Sequence, residues 1–108
     1  METKLFGSPP VFWRNLIRYQ VGAVVSRELY HKSGGTITLF AFDKGQGLSE
    51  HQTPFDAFVQ ILDGKAEISI DGISCHLKKG EFLLMPSGHP HKVIATEKCI
   101  MLLTMIKS

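Results

Sequence analysis

Hydrophobic residues recur along this chain in short runs of roughly five to eight residues, most of them closed by a turn sequence that contains glycine. The runs are rich in Val, Ile, Phe, Leu and Thr, and no segment has a sustained helical period. Such runs are typical of β-strands. The pattern predicts an all-β fold with strands over residues 21–31, 36–43, 48–53, 57–62, 65–70, 73–77, 81–85, 90–95 and 99–106.

Two Asp-Gly pairs interrupt the middle of the chain, at Asp63-Gly64 and at Asp71-Gly72. Asp-Gly between β-prone runs favours a two-residue hairpin, because glycine accepts the positive φ that such turns need. The two pairs together predict an antiparallel meander in this part of the chain.

The two ends of the chain carry different signals. Residues 1–35 are predicted to form an N-terminal arm and a first strand, and residues 36–106 a barrel, in one domain over 1–108. Phe12, Trp13, Leu16 and Ile17 suit either a short helical turn or an arm, whereas the prolines before them argue against regular structure.

The last run, Cys99 to Ile106, is apolar at both alternating parities. A strand with one wet face alternates, so this strand is predicted to be covered on both faces. The barrel interior would cover one face, and the N-terminal arm or a second subunit the other. We therefore expect a homodimer.

Composition excludes several classes of protein. The 108 residues are 44% apolar and 20% charged, which suits one folded domain. The net charge of +2 is scattered, so we expect no nucleic-acid binding. Neither an apolar signal segment nor a membrane span is visible, and a cytoplasmic location is expected. The two cysteines, Cys75 and Cys99, suit buried hydrophobes better than a disulfide framework.

The residues between the strands resemble the two motifs of the cupin family. The first family motif is Gly, five residues, His, one residue, His, three or four residues, Glu, six residues, Gly. Here Gly45, His51 and Gly64 match it, while Thr53 stands at the second histidine position and Ala57 at the glutamate position.

The second family motif is Gly, five residues, Pro, one residue, Gly, two residues, His, three residues, Asn. Gly80, Pro86, Gly88 and His91 match it, and Ala95 stands at the asparagine position. The resemblance covers residues 36–106 and implies a double-stranded β-helix, the jelly-roll-like barrel of cupins.

The resemblance also implies a site inside the barrel. Metal-dependent cupins use the three ligands of the first motif and the histidine of the second, of which this chain keeps His51 and His91. A divalent transition metal (Fe, Mn, Ni or Zn) and a small-molecule ligand are thus expected. An oxygenase, isomerase or lyase reaction on a small organic acid or sugar derivative is the implied activity.

Two imidazoles alone rarely hold a metal tightly, so a third ligand is needed. Gln60, Glu50 and His89 are the candidates, although strand alternation sets Glu50 opposite His51. Asp56 could replace the missing glutamate only if its strand bulged. The other two histidines, His31 and His76, fit solvated surface positions better.

A pocket around the histidines is predicted to be lined by Thr53, Ala57, Phe40, Phe42 and Met85. The aromatic residues and Met85 also suit simple core packing. Loss of two metal ligands leaves a second function open, a metal-free module that binds or senses a small ligand without catalysis. A scaffold without any ligand is the third possibility, which two interior histidines disfavour because buried polar groups cost stability.

Overall fold

The computed structural model describes residues 9–107 and consists mainly of β-strands. Within that range there is one 3-10 turn, Trp13–Asn15, and nine strands. The strands are β1 Val24–Lys32, β2 Gly35–Phe42, β3 Gly47–His51, β4 Phe55–Asp63, β5 Lys65–Ile70, β6 Ile73–Lys78, β7 Phe82–Met85, β8 His91–Ala95 and β9 Cys99–Lys107. The all-β prediction is confirmed.

The strands form two sheets that face each other. The larger sheet has the order β1-β2-β9-β4-β7 and the smaller one the order β3-β8-β5-β6. All pairings between these strands are antiparallel. The chain crosses repeatedly between the sheets, as expected for a double-stranded β-helix.

Alternation along the strands builds the core between the two sheets. Ala57, Val59 and Ile61 of β4 and Val93 and Ala95 of β8 are buried and belong to one hydrophobic cluster. Because side chains alternate across a strand, the residues between them face out of the barrel. Burial of these apolar surfaces is the main force that holds the sheets together.

A second cluster lies on the outer face of the larger sheet, where the N-terminal arm packs. Ile17 of the arm is buried against Leu39, Ala41 and Ile100. The Tyr19 hydroxyl group donates a hydrogen bond of 2.8 Å to Asp63. The arm thus covers part of the outer face of β9, as its apolar pattern requires.

The chain leaves β4 through Gly64 without forming a hairpin, and the prediction for Asp63-Gly64 is wrong. The strands on either side lie in different sheets, so this is a corner between sheets. Gly64 has a φ of +77°, and a Cβ there would collide with the Lys98 carbonyl group. Glycine is needed at this position because the backbone of residue 64 lies too close to the backbone of Lys98 and Cys99 for any side chain.

The second pair, Asp71-Gly72, does form the predicted hairpin. It joins β5 to β6, which are paired along their whole length. Asp71 has a φ of +53° and Gly72 one of +78°, the positive values of a tight hairpin turn. The predicted meander is therefore limited to this one hairpin.

No helix among residues 9–107 is both long enough and apolar enough to cross a membrane.

Replacing Gly64 with alanine should destabilise the fold by about 2–4 kcal/mol, since a Cβ would add a collision with backbone to the cost of positive φ. Gly72→Ala is the matched control, because it has a similar φ but nothing within 4 Å of the added Cβ. It should cost only about 1–2 kcal/mol. Urea unfolding measures both losses; equal losses would contradict the role of close packing at Gly64.

Part of the outer face of the larger sheet stays open, and the homodimer stays a prediction. Phe82, Leu84 and Ile106 are 65%, 60% and 55% exposed there. Light scattering at micromolar concentration should give a dimer, and Leu84→Glu should give a monomer. Ile73→Glu, at an exposed position of the smaller sheet, is the control that should stay dimeric. A monomeric wild-type protein would rule out the dimer.

Candidate functional site

A bulge in β3 turns the exposed side chain of His51 toward His91 at the end of the barrel. Leu48 pairs with Val93, and His51 pairs with His91, so three steps on β3 match two steps on β8. The extra residue reverses the alternation, and His51 takes the side on which Leu48 packs against the core. A regular strand would have presented Glu50 there instead.

The side chain of His91 faces the barrel core because side chains alternate regularly along β8. His91 begins β8, on the same face as Val93 and Ala95, and is 4% exposed. Ile70 of β5 lies directly opposite it on the other side. Buried Val93 on β8 and half-buried Ile70 on β5 therefore flank the ring at the end of the core, which we call the barrel mouth.

The two imidazole rings meet at the barrel mouth although forty residues separate them in the chain. Their Nε2 atoms are 3.1 Å apart. The ring centroids lie 4.3 Å apart with an interplanar angle of 68°. The structure thus brings together the two histidines that the motifs singled out.

Backbone carbonyl groups determine which ring nitrogens carry hydrogen. His51 Nδ1 lies 2.9 Å from the carbonyl oxygen of Ser49, and His91 Nδ1 lies 3.2 Å from that of His89. A carbonyl oxygen can only accept, so each Nδ1 donates its hydrogen. In two neutral rings, both Nε2 lone pairs therefore point at each other. That arrangement is repulsive unless a cation, either a proton or a metal ion, lies between them.

Burial lowers the pKa of His91 below its usual value, and the charge of His51 lowers it further. The hydrogen bond to the His89 carbonyl group acts in the opposite direction. Protonation of His91 is consequently disfavoured, and most strongly when His51 is charged.

The loops at the barrel mouth are tied to each other next to the histidines. The Gln52 side-chain amide donates a 3.0 Å bond to the Gly88 carbonyl oxygen, and the Gly88 amide donates a 2.9 Å bond to the Thr53 carbonyl oxygen. The residues that follow His51 therefore hold the loop that precedes His91.

Two polar side chains of the first motif region accept hydrogen bonds from backbone amides. The Thr53 hydroxyl oxygen accepts the amide of Phe55 at 3.2 Å. The Asp56 carboxylate accepts the amide of Ser87 at 2.9 Å. Both side chains thus stabilise the mouth of the barrel by local hydrogen bonds.

Ala57 is buried, at 1% exposure, where the family motif has a glutamate. Its cross-strand neighbours are Met85 on one side and Met105 on the other. Directly opposite residues of antiparallel strands share a face, so both thioether side chains flank this position. The wall here is apolar and carries no carboxylate.

The three candidate third ligands do not join the histidine pair. Gln60 alternates with Val59 and Ile61 and so lies on the outer face of β4, away from the interior. Glu50 is exposed within the β3 bulge. The ring of His89 is bound by Asp71, at 2.6 Å. Over residues 9–107, no group of three His, Cys, Asp or Glu side chains could hold a metal ion.

The predicted pocket residues differ in their exposure. Phe42 and Met85 are buried in the core, with exposures of 0% and 2%, and Phe40 is half-buried with its ring stacked on Phe42. Other half-buried side chains that pack against the core are Leu48, Ile70, Leu103 and Met105. The barrel interior built by these residues is therefore apolar, and the pocket around the histidines stays a prediction.

The remaining histidines lie at the surface. His31 is paired with Glu28 at 3.2 Å, and His76 with Glu67 at 3.9 Å, all on exposed or half-exposed side chains. These contacts are screened by solvent and give no reason to assign the two histidines a role.

The contact between Asp71 and His89 was missed by sequence reasoning. Asp71 lies in a hairpin turn, and its Asp-Gly pattern indicated only the turn. The available signal was a polar side chain in a hairpin turn that shortly precedes the second motif in the sequence. Nothing in the linear sequence showed that the tip reaches the loop before His91.

Comparison with known proteins places these observations in a family context. The family model described as Cupin domain matches residues 38–106. A conserved Streptococcus pyogenes protein of unknown function has a similar structure, with a TM-score of 0.90 and 33% identity over 100% of this chain and 96% of that chain. No curated protein matches.

Two further solved structures are similar. A cupin superfamily protein from Desulfitobacterium hafniense has a TM-score of 0.87 and 26% identity, over 92% of this chain and 91% of that chain. A Cupin 2 conserved barrel domain protein from Leptotrichia buccalis has a TM-score of 0.84 and 38% identity, over 87% of this chain and 46% of that chain.

The histidine pair predicts a pH dependence. In metal-free protein, NMR titration should give His91 a pKa below 6.5, whereas the unfolded chain takes up that proton near pH 6.5. Stability supported by neutral His91 is therefore present above pH 6.5 and is lost as the pH falls through the lower, folded pKa. Urea unfolding of His91→Gln should show a weaker loss over this range. A His91 pKa at or above 6.5 would contradict the effect of burial.

Proposed function

Because this chain belongs to the cupin family, we propose that it binds a divalent transition metal between His51 and His91. The metal would be presented to a small organic ligand at the barrel mouth. The oxygenase, isomerase and lyase activities implied by the family stay predictions.

The proposal rests on one observation: the Nε2 atoms of His51 and His91 lie 3.1 Å apart. Two nitrogen ligands that bind one metal at about 2.1 Å and at right angles are separated by about 3.0 Å. The observed separation fits two neighbouring positions around one ion. The carbonyl groups of Ser49 and His89 already hold each ring in the tautomer that a metal needs.

The donor set fits Zn, Ni or Fe, for which imidazole is a suitable ligand, better than Mn, which prefers oxygen ligands. Two protein ligands leave coordination positions open, so we expect weaker binding than at sites with three or four ligands. When bound, such a metal would supply Lewis-acid chemistry and a point of attachment for oxygen atoms of a ligand.

The apolar side chains of the barrel interior support a ligand with an apolar part. Ala57 leaves the wall short where the family motif has a glutamate, between two thioether side chains. Half-buried Phe40, Leu48 and Met105 add apolar surface next to the core. Such walls exclude water and hold the apolar part of a small ligand, while the imidazole end binds its polar group.

A second function, metal-free ligand binding, is favoured by a different observation. No third His, Cys, Asp or Glu joins the pair in the part of the chain that the structure describes. A proton between the two Nε2 atoms would then relieve the repulsion in place of a metal. The protonated pair would bind an anionic group of a small ligand, with no catalysis.

Metal uptake by protein purified without a tag distinguishes the two functions. We expect about one equivalent of Zn²⁺ or Ni²⁺ by calorimetry and elemental analysis. His51→Ala and His91→Ala should each lose more than about tenfold in affinity, because one of two ligands is removed. His76→Ala, at an exposed histidine, is the matched control and should bind like the wild type. Folded wild-type protein that takes up none of the four metals would reject the metal site and leave the metal-free function.

A further inference from the structure

We infer that Asp71, outside both family motifs, is a positioning residue that holds the ring of His91 in its ligand orientation. It acts through the loop that precedes His91. This role rests on the proposed metal site at His51 and His91.

Asp71 makes two contacts with that loop. Its carboxylate accepts a hydrogen bond of 2.6 Å from Nδ1 of His89. Its backbone amide donates a bond of 2.9 Å to the carbonyl oxygen of Pro90. One residue of the hairpin thus holds two consecutive residues of the loop.

The peptide group between these two contacts is the one that orients His91. The carbonyl oxygen of His89 belongs to the His89–Pro90 peptide and accepts the hydrogen of His91 Nδ1 at 3.2 Å. Proline fixes its own φ and restricts the residue before it, so this peptide has few orientations. With the side chain of His89 and the carbonyl group of Pro90 both bound by Asp71, the His89 carbonyl group is aimed at His91.

The hairpin geometry explains why an aspartate can do this. Asp71 is the only non-glycine residue with positive φ among those that the structure describes. Asp, Asn and Gly tolerate this conformation better than other residues. Asp71 directly follows Ile70, the cross-strand neighbour of His91, so the hairpin tip lies beside the start of β8.

The opposite side of the same loop is tied to the residues after His51. Gly88 is bound by the Gln52 side chain and by the Thr53 carbonyl group. The loop is therefore held from both sides, by the continuation of β3 and by the hairpin tip. Loss of the Asp71 side chain would release one of these two anchors and leave the other.

Another carboxylate and imidazole of the same hairpin offer a matched control. Glu67 and His76 are 3.9 Å apart on cross-strand neighbours of β5 and β6. Neither residue contacts the loop before His91 in any hydrogen bond of the described structure. Glu67→Gln removes a similar charge from the same hairpin without touching this anchor.

The experiment compares Asp71→Gly, Asp71→Asn and Glu67→Gln with the wild type. Glycine removes the carboxylate while keeping a residue that accepts the turn conformation, and asparagine keeps a hydrogen-bond acceptor. Zn²⁺ affinity is measured by calorimetry. The tautomer of His91 in metal-free protein is measured by ¹⁵N NMR of the imidazole nitrogens.

Asp71→Gly should weaken Zn²⁺ binding by about tenfold and reduce the fraction of His91 with hydrogen on Nδ1. Asp71→Asn should restore most of both, and Glu67→Gln should change neither. A folded Asp71→Gly protein with wild-type affinity and an unchanged His91 tautomer would overturn the assignment. If that variant does not fold, His89→Ala removes the same pair from the loop side and must give the same result.

The two readouts separate this inference from the metal site itself. If wild-type protein binds no Zn²⁺, the proposed function fails, but the His91 tautomer still reports whether Asp71 positions the ring. If wild-type protein binds Zn²⁺ and no Asp71 or His89 variant changes affinity or tautomer, only the positioning role fails.

Discussion

Two imidazole lone pairs face each other across 3.1 Å at the mouth of this barrel, and neutral rings in that position repel. Two backbone carbonyl groups hold the rings there, since each accepts the hydrogen of an Nδ1 atom. A positive charge between the Nε2 atoms turns the repulsion into attraction. The demand for one shared cation links the fold of the chain to its proposed function, whether that cation is a metal ion or a proton. Burial of His91 weighs against a proton as this shared cation, because charging the buried ring itself is costly.

Different structural devices bring the two rings together. A bulge in β3 turns the exposed ring of His51 toward His91, while regular alternation places the buried His91 beside Val93. The loop before His91 is fixed by hydrogen bonds on both of its sides. Rigid strands alone would not determine the ring tautomers, which depend on the carbonyl groups of a bulge and of a loop. The apolar core thus gives way at the barrel mouth to the His51 and His91 pair. The carbonyl groups of Ser49 and His89 set the orientation of these two rings.

The all-β fold could be predicted because short β-prone runs are local features of the sequence, whereas the pairing of His51 with His91 was implied by the resemblance to the two cupin motifs. The corner at Gly64 could not, because Asp63-Gly64 reads like a hairpin and only the packing against Lys98 shows otherwise. Alternation counted from sequence gave no sign of the β3 bulge, which depends on pairing with β8. The contact of Asp71 with His89 also joins segments whose proximity follows only from tertiary structure. In each of these three cases a contact between distant parts of the chain determined the local structure, and local sequence propensity either gave no indication of it or predicted something else.

The absence of a carboxylate at Ala57 distinguishes this site from a four-ligand cupin centre and makes occupancy the decisive question. A crystal structure of Zn²⁺-soaked protein, with diffraction recorded on both sides of the zinc absorption edge, answers it most directly. We predict one anomalous peak in coordination contact with Nε2 of both His51 and His91, with both Nδ1 atoms still bound to their carbonyl groups. Rings that point away from each other would contradict a shared cation at this pair, and zinc bound only at other residues would contradict a shared metal ion.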